Sequence, residues 1–448
     1  MTTTITNLES DRAQVSKAVE IALDVAKKEG ATAAAAGASL DSGLSITSRM
    51  GDVETLEHHR GQSLSVTVYQ GQRKGSASSS ALSADAIKEA VEAAVRIARY
   101  TSEDPCAGLA DADLMASEIP DLDLFHPWPL QADEAIEITK ACEAAALSSD
   151  KRIVNSEGSS LNTFQGTSAY ANSHGFLGVT SSSRHSLSCS VIAEDKSGMQ
   201  RDYWYTSSRL SAQLESPESV GLKSAERALA RLSPQKLSTR KTPVLFSAEL
   251  AKGLMGHLVG AVSGGALYRK ASFLLDAVGE KILPEFVHIY EDPLIPQAPG
   301  SAAFDAEGVA TRKSDLVKKG VLERYVLGSY SARKLGLQTT ANAGGVHNLR
   351  VDSHNLGLDD LLKKMDTGFY ATELIGQGIN MVTGDYSRGA AGFWVEGGEI
   401  KYPVAEITVA GNLRDIFKNV QAIGHDIDTR GNIQTGSWLI NDLMIAGD

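Results

Sequence analysis

The segment Thr383–Ile400 constrains the fold of this chain more than any other stretch. It places five glycines, an adjacent Phe393-Trp394 pair and charges of both signs within eighteen residues. Glycines at this density supply positive φ angles and let another backbone approach closely, which predicts a bent, bulged or tightly packed β-ribbon. The run E-G-G-E at 396–399 predicts a hairpin turn of the primed type. We expect at least one of the two rings to lie in the core.

Chain length and one atypical segment predict two domains. At 448 residues the chain exceeds the size at which single cores stop growing. Proline, serine and basic residues cluster at 233–243, where the apolar periodicity stops. We therefore predict an N-terminal domain over 1–232, a linker over 233–243 and a C-terminal domain over 244–448.

Hydrophobic periodicity assigns a different fold class to each domain. The N-terminal domain is predicted to be α+β, an antiparallel sheet with flanking helices. Its expected helices run from Ser10 or Asp11 to Gly30, from after Ser83, over about 134–147 and from Pro217, and its expected strands cover 44–48, 53–56, 64–69, 75–80 and 153–207. The C-terminal domain is predicted to be β-rich, a barrel or a sandwich, with helices at 248–262 and 358–365.

Composition excludes several classes of protein. The net charge is −12 and the basic residues are scattered, so we expect no nucleic-acid partner. Three widely separated cysteines without a C-x-x-C spacing fit reduced thiols. The first residues lack a basic start with an apolar core, and no long apolar run exists, so neither secretion nor membrane association is expected. A cytoplasmic location is predicted.

Nucleotide and serine-hydrolase chemistry are also disfavoured. The S-x-x-K pattern occurs at 238–241 and at 331–334 without its companion motifs, and 171–175 lacks the first glycine of a nucleophile elbow. No Walker A loop is present, and the G-x-G at 376–378 is followed by Met381 where a dinucleotide fingerprint needs glycine.

Several segments together carry a family resemblance. Beyond 383–400 they are Tyr402-Pro403, Glu406-Ile407, Ala410-Gly411-Asn412 and the stretches 76–80, 98–107, 172–175, 256–269, 305–308 and 329–336. Over essentially its whole length the chain resembles the TldD/PmbA family, and within it the PmbA (TldE) branch. The resemblance implies a cytoplasmic metalloprotease of two related subunits. One subunit carries a helical His-Glu-x-x-x-His motif, and the PmbA type lacks it.

The helix that matches the metal motif reads G-L-M-G-H-L-V-G-A-V-S at 253–263. By resemblance, the first histidine of the motif falls near Gly256, the glutamate near His257 and the second histidine near Ala261. The family's C-terminal cysteine ligand falls around 434–437, which reads Q-T-G-S. The resemblance therefore implies no catalytic residue, metal ligand or cofactor on this chain, with zinc on the TldD-like partner.

Seven residues are predicted to face the substrate cleft or the partner. His257 either lines the cleft or is an interior histidine. Gly344 and Gly345 with His347 and Asn348 either let a peptide backbone approach while polar groups hold its carbonyls, or form a plain turn. Asp385 and Arg388 either bind a substrate terminus or partner, or form an internal pair that braces the hairpin.

These interpretations lead to one principal hypothesis and two alternatives. The principal hypothesis is a PmbA-like subunit that pairs with a TldD-like homologue and trims unstructured peptides, its glycine-rich strands binding the peptide by strand addition. Whether the chain forms a homodimer when that partner is absent is left open by the sequence. The alternatives are a self-sufficient metallopeptidase and a non-enzymatic peptide-binding adaptor.

Overall fold

The computed structural model describes residues 7–447. The helices of this range are α1 (Leu8–Lys28), α2 (Ala84–Tyr100), α3 (Ala132–Ser149), α4 (Pro217–Ala230), α5 (Ala248–Ala261), α6 (Gly264–Tyr268), α7 (Ser329–Leu335), α8 (Leu358–Met365) and α9 (Leu413–Lys418). Among residues 7–447, no helix is both long enough and apolar enough to cross a membrane.

The strands of the same range are β1 (Ala33–Arg49), β2 (Asp52–Gln70), β3 (Arg73–Ser79), β4 (Ile153–Asn172), β5 (Leu177–Asp195), β6 (Gly198–Ser208), β7 (Arg240–Phe246), β8 (Ile289–Glu291), β9 (Ser314–Lys318), β10 (Val321–Leu322), β11 (Leu349–Val351), β12 (Gly368–Ile375), β13 (Asp385–Glu396), β14 (Glu399–Asn412), β15 (Val420–Ile423), β16 (Ile433–Gln434) and β17 (Trp438–Ala446).

Six strands of the N-terminal half form one antiparallel sheet in the order β3-β2-β1-β4-β5-β6. Ala34, Ala36 and Ala38 of β1 belong to a core with α1 and α2. Leu44 and Ile46, on the same face of that strand, belong to a core with α3 and α4. Because side chains alternate between the faces of a strand, all four helices cover one face of the sheet. The predicted α+β architecture is confirmed.

The opposite face of this sheet is rich in small polar side chains, and we call it the helix-free face. Its hydroxyls bond across strands, with 2.8 Å between the Oγ atoms of Ser39 and Ser63. Ser168 Oγ and Thr180 Oγ1 lie 3.0 Å apart. Such pairs stabilise a sheet modestly. A face with so little apolar surface gains little by burial under a helix.

The first helix begins earlier than the sequence predicts. Asn7, rather than Ser10 or Asp11, is the N-cap, and its side chain accepts the backbone N–H of Ser10 at 3.3 Å. The helix therefore starts at Leu8. Its predicted end is confirmed, since Gly30 follows with a φ of 83°, the left-handed conformation that glycine adopts without strain.

The strands predicted at 53–56 and 64–69 are one continuous strand, β2. The residues between them are mostly exposed on both faces, so no apolar alternation marks them in the sequence. Pairing with β1 along its whole length, from Arg49↔Asp52 to Ala33↔Tyr69, keeps this stretch extended. Backbone pairing, rather than side-chain burial, defines the middle of this strand.

A closed five-stranded barrel dominates the C-terminal half. Its strands follow the order β14-β13-β12-β7-β17, and pairing of β14 with β17 at residues 408–410 closes the ring. Of the two β-rich architectures that the sequence allowed, the structure has the barrel. Phe246, Phe369 and Trp438 are fully buried in the core that the barrel shares with α5. Five shorter strands form a separate sheet, β10-β9-β8-β11-β16.

The ribbon at 383–400 has the predicted features. Gly397 and Gly398 have φ angles of 64° and 74°, as a primed turn requires. The register between β13 and β14 shifts between Ala390 and Gly392, where the strand bulges. A Cβ atom added at Gly392 would lie 2.0 Å from the carbonyl oxygen of Tyr370, so only glycine fits there. Trp394 is buried.

An ion-pair network centred on Arg430 joins the two halves of the chain. Its guanidinium lies 2.9 Å from Asp428 Oδ1 and 2.6 Å from Glu249 Oε1. It also stacks over the rings of Trp204 and Tyr205, at 4.4 and 4.1 Å from their centroids. Burial alone would raise the pKa of Asp428, but hydrogen bonds from Arg430 and a lysine lower that pKa to about 2.

The predicted linker overlaps an element of the barrel. Strand β7 begins at Arg240, inside the segment 233–243, and the backbone N–H of Gln235 donates to the carbonyl of Pro403 at 2.8 Å. The segment is therefore bound to the barrel at both of these points. The bounds 1–232 and 244–448 stay a prediction.

Candidate functional site

Helix α5 presents an open glycine surface on one side. Its other side is buried through residues that include Leu254, Met255 and Leu258. A Cβ atom added at Gly253 or Gly256 would meet no other atom within 4 Å. The exposed side of the helix therefore offers close access to its backbone.

His257 lies beside this glycine surface and contacts the barrel. Its ring meets that of Tyr386 edge-on, with the centroids 6.1 Å apart. Burial lowers the pKa of His257, and the positive charge of Arg388 lowers it further. The imidazole is therefore neutral at neutral pH. We call these residues the His257–Tyr386–Arg388 group.

Two buried donors of this group have no acceptor in the described part of the chain. The Tyr386 hydroxyl and the Arg388 Nε are buried, and within residues 7–447 neither makes a hydrogen bond of normal geometry, although the Arg388 guanidinium lies close enough to the phenol to lower its pKa. Burial raises the pKa of Tyr386 to about 12, against the opposing charge of Arg388, so the phenol keeps its proton. Buried donors normally have acceptors, and unpaired ones call for an explanation such as a ligand.

Replacing Arg388 by glutamine is expected to raise the pKa of His257. The change removes a nearby positive charge and leaves the burial of the imidazole in place. An NMR titration of the histidine resonances measures the shift. Arg152→Gln, which removes an arginine paired with Asp150 at the protein surface, is the control and should leave His257 unchanged. An unchanged midpoint in Arg388→Gln would contradict the proximity of the two residues.

Asp385 lies apart from the His257–Tyr386–Arg388 group. Its carboxylate accepts from Thr383 Oγ1 at 2.6 Å and from Asn412 Nδ2 at 3.3 Å. The Nη2 of Arg388 instead donates to the carbonyl of Leu374 at 3.3 Å. Within residues 7–447 the two charged groups form no ion pair with each other, so the predicted internal pair is absent. Asp385 stabilises the turn that precedes β13.

Hydrogen bonds to the buried carboxylate of Glu291 fix the loop Gly344–Asn348. Glu291 accepts the His347 backbone N–H at 2.5 Å and the Asn342 amide at 2.9 Å, and it pairs with Arg324. Gly344 and Gly345 have φ angles of 98° and 123°. The backbone of this loop is thus fixed in a conformation that favours glycine.

The two polar side chains of this loop differ in what they contact. Asn348 is fully buried; its Oδ1 accepts the Gly300 N–H at 2.8 Å, and its Nδ2 donates to Ser301 Oγ at 2.7 Å. The Nε2 of His347 is buried and has no hydrogen-bond partner in the described part of the chain. The cleft roles of both residues stay predictions, and Asn348 has its amide engaged within the chain.

The glycine-rich ribbon does not offer the strand edge that a peptide would extend. Strand β13 pairs with β12 on one side and with β14 on the other. Its backbone groups are therefore engaged on both sides, as in any closed barrel. Strand addition at β13, expected from the sequence, is not open to a peptide.

The residues at the expected metal positions do not fit a catalytic zinc ion. Helix α5 supplies one imidazole, His257, while Gly256 has no side chain and Ala261 is fully buried. At the position of the cysteine ligand, Thr435 Oγ1 accepts the Trp438 Nε1–H at 2.7 Å and Ser437 Oγ donates to Asp426 at 2.5 Å. Among residues 7–447, no three His, Cys, Asp or Glu side chains are grouped as metal ligands. A catalytic zinc site needs three protein ligands with an open fourth position.

Tyr386 is the member of the site that the sequence reasoning missed. Asp385 and Arg388 were predicted as a pair because both are charged, but residues three apart in a strand point to opposite faces. Tyr386 and Arg388 are two apart and share a face. The period of the strand was the signal that could have identified it.

Models of one protein family match most of the chain. They are described as PmbA/TldA metallopeptidase domain 1, central domain and C-terminal domain, and they match residues 39–98, 125–232 and 239–447. A curated relative, Metalloprotease PmbA of Escherichia coli O157:H7, is 52% identical over 445 residues, which cover 99% of this chain and 98% of the relative.

Solved structures share the fold. A crystal structure from Bacteroides thetaiotaomicron, described as a candidate modulator of DNA gyrase, has a TM-score of 0.92 and 29% identity, covering 99% of this chain and 100% of that one. The structure of TldE from Thermococcus kodakarensis has a TM-score of 0.80 and 20% identity, covering 96% of this chain and 100% of that one.

Proposed function

The chain belongs to the PmbA branch of the TldD/PmbA metallopeptidase family, and on that premise we propose that it is the subunit without metal in a heteromeric peptidase. Its partner is a TldD-like homologue that binds zinc. The assembly acts in the cytoplasm and trims unstructured peptides. The isolated chain is not catalytic.

The residues of helix α5 are the observation that supports this proposal most directly. A metal-activated water requires several ligands and a general base. On the side of α5 that would present them, this chain has glycines and one imidazole. The partner must then supply the ligand set, and this chain supplies an opposing wall.

The His257–Tyr386–Arg388 group fits a wall that binds peptide. An extended peptide exposes a carbonyl acceptor at every residue. Among residues 7–447, the Tyr386 O–H and the Arg388 Nε–H have no acceptor. A peptide carbonyl that reaches them would satisfy both, and a hydrogen bond from a guanidinium is among the stronger kinds.

The purified chain is expected to contain less than about 0.1 zinc ion per molecule, because a single imidazole does not hold zinc. Elemental analysis of the chain alone, and of a complex with a TldD-like homologue isolated by size exclusion, tests this. The complex should contain stoichiometric zinc. One zinc per chain in the isolated protein would contradict the proposal and favour a self-sufficient metallopeptidase.

A further inference from the structure

A cavity of about 340 Å³ lies where the helix-free face meets the C-terminal half of the chain. Arg184 of β5 and Arg209, just after β6, line it from the sheet, and Pro299 and Thr429 line it from the other side. Phe164, which is 41% exposed, adds an aromatic surface. The volume falls within the range of roughly 300–1,000 Å³ that ligand pockets occupy.

Three arginines line this cavity, and two of them, Arg184 and Arg209, have no acidic partner among residues 7–447. Arg209 donates only to backbone carbonyls, those of Ser183, Ala298 and Pro299, at 2.9–3.3 Å. Arg184 donates to Ser207 Oγ at 3.0 Å and to a backbone carbonyl. A guanidinium has five N–H donors, so both side chains keep donors for a ligand. No carboxylate of residues 7–447 forms an ion pair with either arginine.

The positive charge of Arg184 also makes the charged form of Arg209 less favourable. Burial lowers the pKa of Arg209, and the positive charge of Arg184 lowers it further. The other arginine at this junction, Arg430, is by contrast paired with Asp428 and Glu249. The chain carries a net charge of −12, yet among residues 7–447 no carboxylate forms an ion pair with either of these two neighbouring cations. An anion between them would relieve the repulsion.

A larger cavity leads to this arginine pair. It has a volume of about 800 Å³ and is lined by Ser39, Ser63 and Tyr170 of the sheet and, from the C-terminal half, by Phe304. Charged residues line it too: Arg12 of α1, Asp121, Asp123 and Asp305. Ser182 and Arg209 line both cavities, so the two lie next to each other. Hydroxyl and aromatic groups thus line the larger cavity, and Arg184 and Arg209 line the smaller one beside it.

We propose that Arg184 and Arg209 bind the carboxylate of a peptide whose preceding residues lie in the larger cavity. The two guanidiniums suit a carboxylate because their planar N–H groups bind both of its oxygens. This inference rests on the proposed function, in which the chain binds unstructured peptides. It adds that the assembly prefers peptides with a free carboxylate at one end of the bound segment.

Binding of an N-terminally labelled, unstructured octapeptide to the full chain tests this, with fluorescence anisotropy as the readout. The free-acid peptide is expected to bind about tenfold more tightly than its C-terminal amide, the gain of one charge-assisted hydrogen-bond pair. Arg184→Gln should abolish this preference. Arg201→Gln, which changes an exposed arginine of the same sheet, should retain it. Circular dichroism checks that both variants fold.

Two further measurements identify which anion the two arginines bind. A C-terminal amide whose last residue is glutamate carries a carboxylate on its side chain instead of its terminus. If this peptide binds as tightly as the free acid, the result supports a carboxylate as the ligand of the two arginines. Inorganic phosphate that displaces the peptide at equal concentration would overturn it. Equal affinity for acid and amide, or a preference that survives Arg184→Gln, overturns this inference and leaves the proposed function intact. Failure of every peptide to bind, alone and with the TldD-like partner, overturns both.

Discussion

Replacing Arg430 by methionine is expected to lower the free energy of unfolding by about 3 kcal/mol, the lower end of the cost of breaking a buried ion pair from one side, because Lys252 stays beside Asp428 and Arg227 beside Glu249. The change leaves Asp428, whose side chain is 4% exposed, without its arginine partner, and it removes the contact with Glu249. It also removes the stacking on Trp204 and Tyr205. Denaturant unfolding measures the loss.

The effect of this change should depend on pH. The folded-state pKa of Asp428 is about 2, below the unfolded value of about 3.9. The stabilisation from this carboxylate is therefore fully present above about pH 3.9 and is lost as the pH falls toward 2. The gap between the wild-type protein and Arg430→Met should narrow over that window.

Arg201→Met is the matched control for Arg430→Met. Arg201 pairs with Glu157 at 3.3 Å, and both side chains are largely exposed. Exposed pairs contribute about 0–1 kcal/mol. A loss at Arg430 as small as that at Arg201 would show that the junction between the two halves does not depend on this network.

Replacing Gly392 by alanine should destabilise the barrel by about 3 kcal/mol, at the upper end for an overpacked core. The added Cβ would lie 2.0 Å from the Tyr370 carbonyl oxygen on β12. Because the contact is with backbone in a closed barrel, neither atom can move aside without breaking strand pairing. Thermal and denaturant unfolding measure the effect.

Gly389→Ala provides the comparison on the same strand. A Cβ there would first meet Ile375 Cβ at 3.4 Å, an ordinary contact. We expect a change below about 1 kcal/mol, the intrinsic difference between these residues in a strand. Equal effects at both glycines would mean that backbone approach at Gly392 does not determine the barrel geometry.

The sequence predicted local elements better than long-range ones. Helix α8 was predicted with its observed bounds, Leu358–Met365, because its apolar and charged residues alternate with helical period. The continuity of β2 was missed because its middle residues are exposed on both faces. Closure of the barrel by β14 and β17 joins residues that no local pattern connects.

The candidate site was predicted only in part. His257 could be singled out as the one histidine in the glycine-rich sequence of this helix. Its contact with Tyr386 depends on how closely α5 packs against β13, and only the tertiary structure determines that. No local pattern connects Arg184 with Arg209, because their proximity follows from the pairing of β5 with β6 and from the loop at Pro299.

Cleavage of an unstructured peptide by the chain alone, by a TldD-like homologue alone and by their mixture tests the central claim most directly. Each sample is assayed with and without a chelator. The account predicts no cleavage by the isolated chain and chelator-sensitive cleavage by the mixture. Chelator-sensitive cleavage by the chain alone, with stoichiometric zinc bound, would contradict it.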